Sequence, residues 1–282
     1  MLEVRGWRLE VGDCRSNIQY PISNLQLPIS SIQYRGKNMT LVQELLNDIS
    51  DDSPVVDLRV GLHWTVLLTA DGRAGIANAN ARFHEHGVPD VEAAGTLIGR
   101  STRELALLAL DGRPAERGIG VAALNALLPL PSEDQLTDVN AAEVLLQRAP
   151  GKKVVVVGHF PFLPRLKKAA GELFVLELEP GPGEYPAAAA PEIVPQADIA
   201  AITGSAIVNG TMDKLLPLCR PGAYVLILGP STPLHPIVLG WGVDAIASSI
   251  VVDPQKCMEY TSQGSTFRQL RGVRKVVLAR QG

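Results

Sequence analysis

Small and polar residues follow three apolar runs of this chain, at the points where strands are expected to end. Residues 203–211, Thr-Gly-Ser-Ala-Ile-Val-Asn-Gly-Thr, come directly after the apolar run 199–202. Residues 158–161 (Gly-His-Phe-Pro) and 229–233 (Gly-Pro-Ser-Thr-Pro) have the same character. Because ligands of open α/β sheets bind beyond the carboxyl ends of the strands, we expect these loops to form one site.

The segment 203–211 could bind a small anion. Its hydroxyl, amide and glycine positions are Thr203, Gly204, Ser205, Asn209, Gly210 and Thr211. We predict that Gly204 and Gly210 leave backbone amides accessible, and free amides near a helix start favour a phosphate, carboxylate or other anion. Helix capping by serine or asparagine is the alternative. Ser205 has no neighbouring base and no GxSxG elbow, which argues against a serine nucleophile.

The other strand ends add ionisable and hydroxyl groups. His159 is the candidate catalytic residue, placed to act as an acid, a base or a metal ligand, and an ordinary hydrogen-bonded loop histidine is the alternative. Ser231 and Thr232 stand between two prolines, and His235 follows. Glu177 lies about 20 residues after the first loop, where dinucleotide folds place an acid that binds ribose hydroxyls. A solvated strand end is the alternative for Glu177.

The first loop lacks the glycine fingerprint of dinucleotide binding. Pro161 and Pro164 stand where GxGxxG would place glycines, so a pyrophosphate cannot approach the backbone closely. This argues against conventional NAD binding and leaves a transition metal ion open as the cofactor. The candidate metal ligands are His63, His159 and His235. No ligand set has diagnostic spacing, so folding would have to assemble a metal site.

The elements that position these residues follow two patterns. Residues 40–128 predict a helix, antiparallel strands and then helices, which form a small α+β unit. From residue 154 onward, short β-branched strands alternate with helices, one of them at 209–216. This alternation predicts an α/β fold with a Rossmann-like parallel sheet and helices on both faces. We place the domains at residues 39–135 and 136–282.

Residues 1–38 differ from the rest of the chain. They contain a near-repeat of seven residues that begins at Ser16, Ser23 and Ser30, and Pro21 and Pro28 would break any coiled coil. We expect an extraneous or disordered leader, with Met39 as the true start. A genuine flexible extension is the alternative.

The net charge and the cysteine content of the chain limit the kinds of partner and environment that we expect. The net charge of −3 over 282 residues gives no electrostatic reason to expect nucleic acid or an anionic membrane surface. Three widely spaced cysteines argue against a disulfide scaffold, so we expect a cytoplasmic protein. A homodimer is compatible with such a chain, but the sequence shows no interface signature.

Several motifs resemble a known family in the same order. They are Gly-His-Phe-Pro-Phe at 158–162, Leu-Glu-Leu-Glu-Pro at 176–180, residues 203–211 and residues 229–233. Together they resemble the domain family named "Putative heavy-metal chelation". The resemblance implies a Rossmann-like C-terminal domain after an N-terminal domain similar to the enolase N-terminal fold.

The resemblance also implies a site in the cleft between the two domains. The segments that resemble the N-terminal partner, 61–65 and 118–126, make His63 and Asn125 candidate cleft residues. We therefore expect a metal-handling protein that binds a small anionic or metal-chelating ligand in this cleft, with His159, Glu177 and Asn209 as specific contacts. The alternative is an enzyme that acts on a nucleotide-like or pterin-like small molecule, with His159 as the acid or base.

Overall fold

The computed structural model describes residues 39–80 and 87–280. The expected leader at residues 1–38 therefore lies outside the described part of the chain. The sequence explains why the first described helix, α1 (Leu41–Asp48), forms. Thr40 and Gln43 cap it reciprocally, and the helix buries its apolar face.

An antiparallel sheet follows α1. Its strands are β1 (Val55–Val60), β2 (Trp64–Thr69) and β3 (Ala74–Asn78), in the order β1-β2-β3. The next helices are α2 (Thr102–Ala106), α3 (Leu108–Asp111) and α4 (Pro114–Leu127). Helix α4 packs directly against β3, because an added Cβ at Gly75 would lie only 2.5 Å from the backbone nitrogen of Ala126.

The second half of the described chain alternates strands with helices. Its strands are β4 (Leu136–Thr137), β5 (Lys153–Val157), β6 (Glu172–Glu177), β7 (Tyr185–Pro186), β8 (Ile199–Thr203), β9 (Tyr224–Leu228), β10 (Ala245–Val251) and β11 (Val273–Ala279). Its α-helices are α5 (Ala141–Arg148), α6 (Leu163–Ala169), α7 (Ala190–Ile193), α8 (Ser205–Val208), α9 (Met212–Leu215), α10 (Pro236–Leu239) and α11 (Pro254–Ser262). The 3₁₀ turns are Glu133–Gln135, Ala187–Ala189, Val194–Gln196 and Leu216–Leu218.

These strands form one eight-stranded sheet in the order β4-β11-β10-β9-β8-β5-β6-β7. The six strands from β10 to β7 in this order are parallel to one another, whereas β11 is antiparallel to both β10 and β4. The expected mixed α/β class with a mainly parallel sheet is confirmed. The chain reverses its direction of winding between β5 and β8, and at such a switch point open sheets have their ligand crevice. The likeness to the enolase N-terminal fold and the domain limits stay predictions.

The helix expected at residues 209–216 begins three residues later than predicted, at Met212. Helix α8 ends before Asn209 and α9 begins at Met212. Gly210 adopts a left-handed conformation with φ of +68°, and its amide donates to the Ile207 carbonyl while that of Thr211 donates to Ala206. This pair of bonds is a Schellman motif, which ends a helix.

No helix within residues 39–80 and 87–280 combines the length and the apolar character needed to cross a membrane.

Candidate functional site

A crevice of about 720 Å³ lies at the carboxyl ends of β5, β8 and β9 and alongside β10. Trp64 and Asn78 of the antiparallel sheet also line it. The cavity is therefore lined both by the large sheet, at its switch point, and by the small antiparallel sheet. This position agrees with the general rule that α/β proteins bind ligands beyond the carboxyl ends of their strands.

The structure brings four of the sequence-predicted site residues to this crevice. They are His159, Thr203, Ser205 and Ser231. Ser231 also has a structural task, because its Oγ accepts a hydrogen bond from the backbone N–H of Asn78 at 2.8 Å. The loop after β9 is thereby bonded to the end of β3 at the wall of the crevice.

The predicted accessible amides of the segment 203–211 are wrong at both glycines. The Gly204 amide donates to the Leu228 carbonyl at 2.8 Å, and the Gly210 amide donates to the Ile207 carbonyl at 3.0 Å. Gly204 instead permits close packing, because an added Cβ would collide with Oγ1 of Thr232. Helix α8 is also only four residues long, so its start does not provide an anion site of the kind that we expected.

Asn209 and Thr211 are not among the residues that line the crevice. Thr211 Oγ1 donates to the Ala206 carbonyl at 3.3 Å, and the guanidinium of Arg117 lies against Gly210. The expected ligand contacts of Asn209 and Thr211 stay predictions, and the structure gives both residues a place in the turn between α8 and α9.

A second depression of about 490 Å³ adjoins the crevice at His159. It is lined by His159, Glu177, Glu179, Gly181, Pro182 and Glu184. Glu177 was predicted from the sequence, whereas Glu184 was not, although Glu184 is the partner of His159. Nδ1 of His159 lies 2.7 Å from Oε1 of Glu184. The signal that could have identified Glu184 is its place after β6, the strand next to β5.

The carboxylate of Glu184 is held in its ionised form. Its Oε2 accepts a hydrogen bond from the Gly181 amide at 2.9 Å, and this bond, followed by the contact with His159, lowers the pKa of Glu184. The side chain of Glu184 is only 14% exposed, whereas that of His159 is 68% exposed. A fixed carboxylate therefore orients an accessible imidazole at the edge of the crevice.

The other two candidate metal histidines lie elsewhere. His235 is buried, with Nε2 3.2 Å from Oδ2 of Asp48, and its Nδ1 accepts a hydrogen bond from the Ile237 amide at the start of α10. Burial lowers the pKa of His235. His63 is exposed between β1 and β2. Neither residue is part of the crevice lining.

A metal ion held by protein side chains alone does not fit this site. In the part of the chain that the structure describes, no three His, Cys, Asp or Glu side chains come together as metal ligands. His84 and His86 lie outside that part. Structural metal sites need about four converging donors.

The electrostatic character of the crevice is cationic. Arg268 and Lys275 line it and are exposed, and neither has a carboxylate partner among the described residues. No Asp or Glu belongs to its lining within the described residues. Neither cation could be predicted as a site residue, because neither follows the end of a parallel strand.

Aromatic rings provide flat walls. The rings of Phe160 and Phe162 stack with centroids 5.1 Å apart, and Trp64 lies 5.7 Å from Phe267. Lys275 Nζ is 4.6 Å from the centroid of the Phe267 ring, a cation–π contact. Nε1 of Trp64 is a buried donor without an acceptor in the described structure. Cations, hydrogen-bond donors and aromatic walls together suit a planar anion.

Asn125 and Thr232, the last two predicted ligand contacts, line a separate cavity. Asn125 Nδ2 donates to the Ile76 carbonyl at 2.9 Å, and Thr232 is fully buried against Gly204.

Comparison with known proteins places the chain in a family. Two family models, both described as "Putative heavy-metal chelation", match residues 42–128 and 140–280. The chain belongs to this family, as its motifs indicated. An uncharacterised protein of Methanocaldococcus jannaschii is 27% identical over 241 residues, which cover 82% of this chain and 92% of that protein.

Two solved structures of the same family are similar over nearly their whole length. The protein from Desulfitobacterium hafniense, of unknown function, has a TM-score of 0.71 and 25% identity and covers 85% of this chain and 97% of its own. The protein from Pyrococcus horikoshii, also of unknown function, has a TM-score of 0.68 and 23% identity, with 85% and 98% covered. The second likeness supports the fold alone.

Proposed function

We propose that this protein binds an anionic, planar chelator, or the anionic complex that such a chelator forms with a heavy metal, in the crevice. The observation that carries the proposal is the charge of the lining, in which Arg268 and Lys275 face no carboxylate from the described residues. Residues 64 and 78 of the lining belong to the first predicted domain and the other lining residues to the second, which supports the expected site in the cleft between them.

A chelator reconciles the family description with the donor set of the site. A bare metal cation would be repelled by the two cationic side chains, and the described residues do not provide three converging ligands. A chelator with carboxylate or phenolate oxygens brings its own metal ligands and presents negative charge to the protein. The metal is then cargo, and the protein recognises the organic shell around it.

Different residues of the crevice would contact different parts of the ligand. Arg268 and Lys275 would neutralise the charge of the ligand, and the hydroxyls of Thr203 and Ser205 would bond to its oxygens. The aromatic walls would stack against its ring. His159, at the edge of the crevice, would contact a polar substituent.

Calorimetric titration tests the proposal with three probes: Cu²⁺ alone, 2,3-dihydroxybenzoate alone, and their complex. We expect the two anionic probes to bind more tightly than Cu²⁺. Reversal of one charge in Lys275→Glu should weaken their binding by about tenfold or more. Lys167→Glu is the matched control, because Lys167 is exposed on α6, outside the lining, and the change in net charge is the same. Tighter binding of bare Cu²⁺, or equal effects of both variants, would overturn the proposal.

The His159–Glu184 pair favours a second candidate function, an enzyme that acts on a nucleotide-like or pterin-like molecule in the same crevice. An imidazole oriented by a carboxylate is a common arrangement for acid–base catalysis. Mass spectrometry of the small molecules released from denatured protein would identify the ligand and provide the substrate for an assay. Unchanged binding and turnover of that ligand in His159→Ala would exclude this role of His159.

A further inference from the structure

Strand β1 lies at the edge of the three-stranded sheet, and most of its outer side is open. The sheet has the order β1-β2-β3, so β2 covers only one side of β1. At Val55 the outer side is occupied, because Val55 donates to the Arg100 carbonyl at 2.9 Å and accepts from the Gly99 amide at 2.8 Å. Beyond Val55, no backbone group of another described segment bonds to the outer side of β1.

The pairing with β2 shows which backbone groups of β1 point outward. The Gly61 amide donates to the Trp64 carbonyl at 2.8 Å, and in antiparallel pairs every second residue makes such bonds. Arg59 therefore bonds towards β2, whereas Leu58 and Val60 direct their N–H and C=O groups away from it. Outward donors and acceptors on an edge strand are a template for a further strand.

The side chains along this edge lack the features that usually prevent strand pairing. Exposed edges are normally protected by an unpaired charge, by proline or by a bulge. The bulge of β1, at residues 55–57, lies only at the start of the open stretch, and the charges of Asp57 and Arg59 pair with each other at 2.8 Å. Val60 is 43% exposed, and Leu62, in the turn after β1, is 75% exposed. The edge is therefore apolar and without net charge.

The length of the open stretch limits the strand that can pair with it. An added strand that continued past residue 56 would collide with Gly99 and Arg100, which already bond to Val55. A strand that ends in a tight turn at this point avoids the collision. The β1 strand of a second copy is such a strand, because its chain reverses between Val60 and Trp64 to enter β2.

Antiparallel pairing of two β1 strands about a two-fold axis at Val60 matches the groups that point outward. Val60 then lies opposite the partner's Val60, and Leu58 lies opposite the partner's Leu62. Apolar cross-strand pairs of this kind stabilise a sheet. The turn of the partner ends before it reaches Val55, so the bond between Val55 and Gly99 is retained.

The charges also agree with this register. Asp57 faces the partner's His63, which is exposed in the turn, and Arg59 faces the partner's Gly61. In each copy Gly61 packs against the carbonyl of Thr261 in the last turn of α11, where a helix favours a cation. An axis at Arg59 would instead set two arginines opposite each other, and like charges directly opposite destabilise a sheet.

We propose that the open edge of β1 is a self-association surface, at which a second copy of this chain adds its own β1 and completes a six-stranded antiparallel sheet across a homodimer. The complementary charges and the short open stretch favour a second copy over a longer extended peptide. The proposal does not depend on the function proposed for the crevice, because residues 57–63 are not part of the crevice lining.

Sedimentation equilibrium over a range of protein concentrations tests the proposal. The unaltered protein should form a reversible dimer. Val60→Lys places two ammonium groups opposite each other at the axis, so it should raise the dissociation constant of the dimer by about tenfold or more. Val252→Lys is the matched control, because Val252 is also exposed, follows β10 in the other sheet and undergoes the same change in charge.

Cross-linking tests the register. Opposite residues of a hydrogen-bonded antiparallel pair have Cα atoms about 5.5 Å apart, which is within the reach of a disulfide. Val60→Cys should therefore give a covalent dimer in the presence of oxidised glutathione. Val252→Cys should give none, and Cys219 and Cys257, which both variants share, are buried.

Other outcomes contradict the proposal. A protein that stays monomeric at every concentration does not associate through β1. A dimer that Val60→Lys leaves intact, or that both lysine variants weaken equally, is formed by another surface. A dimer whose Val60→Cys variant does not cross-link lacks the pairing about Val60. If circular dichroism shows that Val60→Lys does not fold, the unaltered protein and Val60→Cys still decide, because the proposal requires a dimer in the first and a cross-link in the second.

Discussion

Nδ1 of His159 lies 2.7 Å from Oε1 of Glu184, and the other oxygen of that carboxylate accepts a hydrogen bond from the Gly181 amide at 2.9 Å. The contact joins the loop after β5 to the loop after β6. It leaves Nε2 as the imidazole nitrogen without a partner in the described structure. This nitrogen is the group of His159 that is available to contact a molecule in the crevice.

The first prediction concerns the tautomer of His159. A carboxylate can only accept, so in the neutral ring it favours the tautomer that carries the proton on Nδ1. In Glu184→Ala the Nδ1–H tautomer should lose population to the Nε2–H form, with a smaller change in Glu184→Gln. Nitrogen-15 NMR of the histidine ring, at a pH where the ring is neutral, distinguishes the two forms.

Glu179→Gln is the control for this measurement. Glu179 lines the same depression but makes no hydrogen bond to His159. We expect its spectrum to match that of the unaltered protein. If all the variants show the same tautomer ratio, Glu184 does not orient His159.

The second prediction concerns Gly204→Ala. The added Cβ would collide with Oγ1 of Thr232 and lie 2.9 Å from its backbone nitrogen. We expect a loss of about 1–3 kcal/mol in the free energy of unfolding, measured in urea, because overpacking forces neighbouring groups to shift. Thr232→Ala should recover part of this loss in the double variant, since it removes the hydroxyl and keeps the backbone.

Gly181→Ala is the matched control for stability. The nearest atom to an added Cβ at Gly181 is 3.4 Å away, which is ordinary contact. A similar loss in both variants would mean that the cost comes from the glycine backbone in general and not from Thr232.

The strands of the large sheet could be predicted from the sequence because each is a short apolar run bounded by turn residues. The same rule selected His159, Thr203, Ser205 and Ser231, since residues at neighbouring strand ends meet at one edge of a parallel sheet. Strand direction could not be predicted in this way. Strand β11 contains an apolar run at residues 276–279, as its neighbours do, and this run does not reveal that β11 is antiparallel to β10.

The site residues that could not be predicted from the sequence are brought to the site by contacts between segments that are far apart in the chain. Lys275 reaches the crevice from the antiparallel strand β11, and Arg268 comes from the loop before it, so neither stands at the end of a parallel strand. Glu184 lies in a loop whose path the sequence does not define. The glycine amides of the segment 203–211 were predicted wrongly because Gly204 bonds to the neighbouring strand β9.

The third prediction concerns Ser231→Ala. The variant removes the acceptor of the Asn78 N–H and leaves a partly buried donor without its partner. We expect the free energy of unfolding to fall by about 1–3 kcal/mol. Ser262→Ala, at an exposed position in the last turn of α11, should change it little. An unchanged stability of Ser231→Ala would show that water replaces the hydroxyl.

The fourth prediction is a pH dependence of stability that arises at His235. Burial, the larger effect, lowers the pKa of His235 below its ordinary value of 6.5, and the nearby Asp48 opposes this shift. Between the lowered pKa and 6.5, the unfolded chain binds more protons than the folded protein, so stability rises with pH. Acidification below about pH 6.5 should therefore cost stability through this residue.

His235→Asn separates this effect from the other titrating groups. Asparagine can accept the Ile237 amide as the histidine does, so it keeps the cap of α10 without the charge change. Urea unfolding at about pH 7.5 and about pH 5 should show a smaller loss of stability on acidification in the variant than in the unaltered protein. Because all other groups are common to both proteins, equal losses would mean that His235 takes up no proton on unfolding in this range.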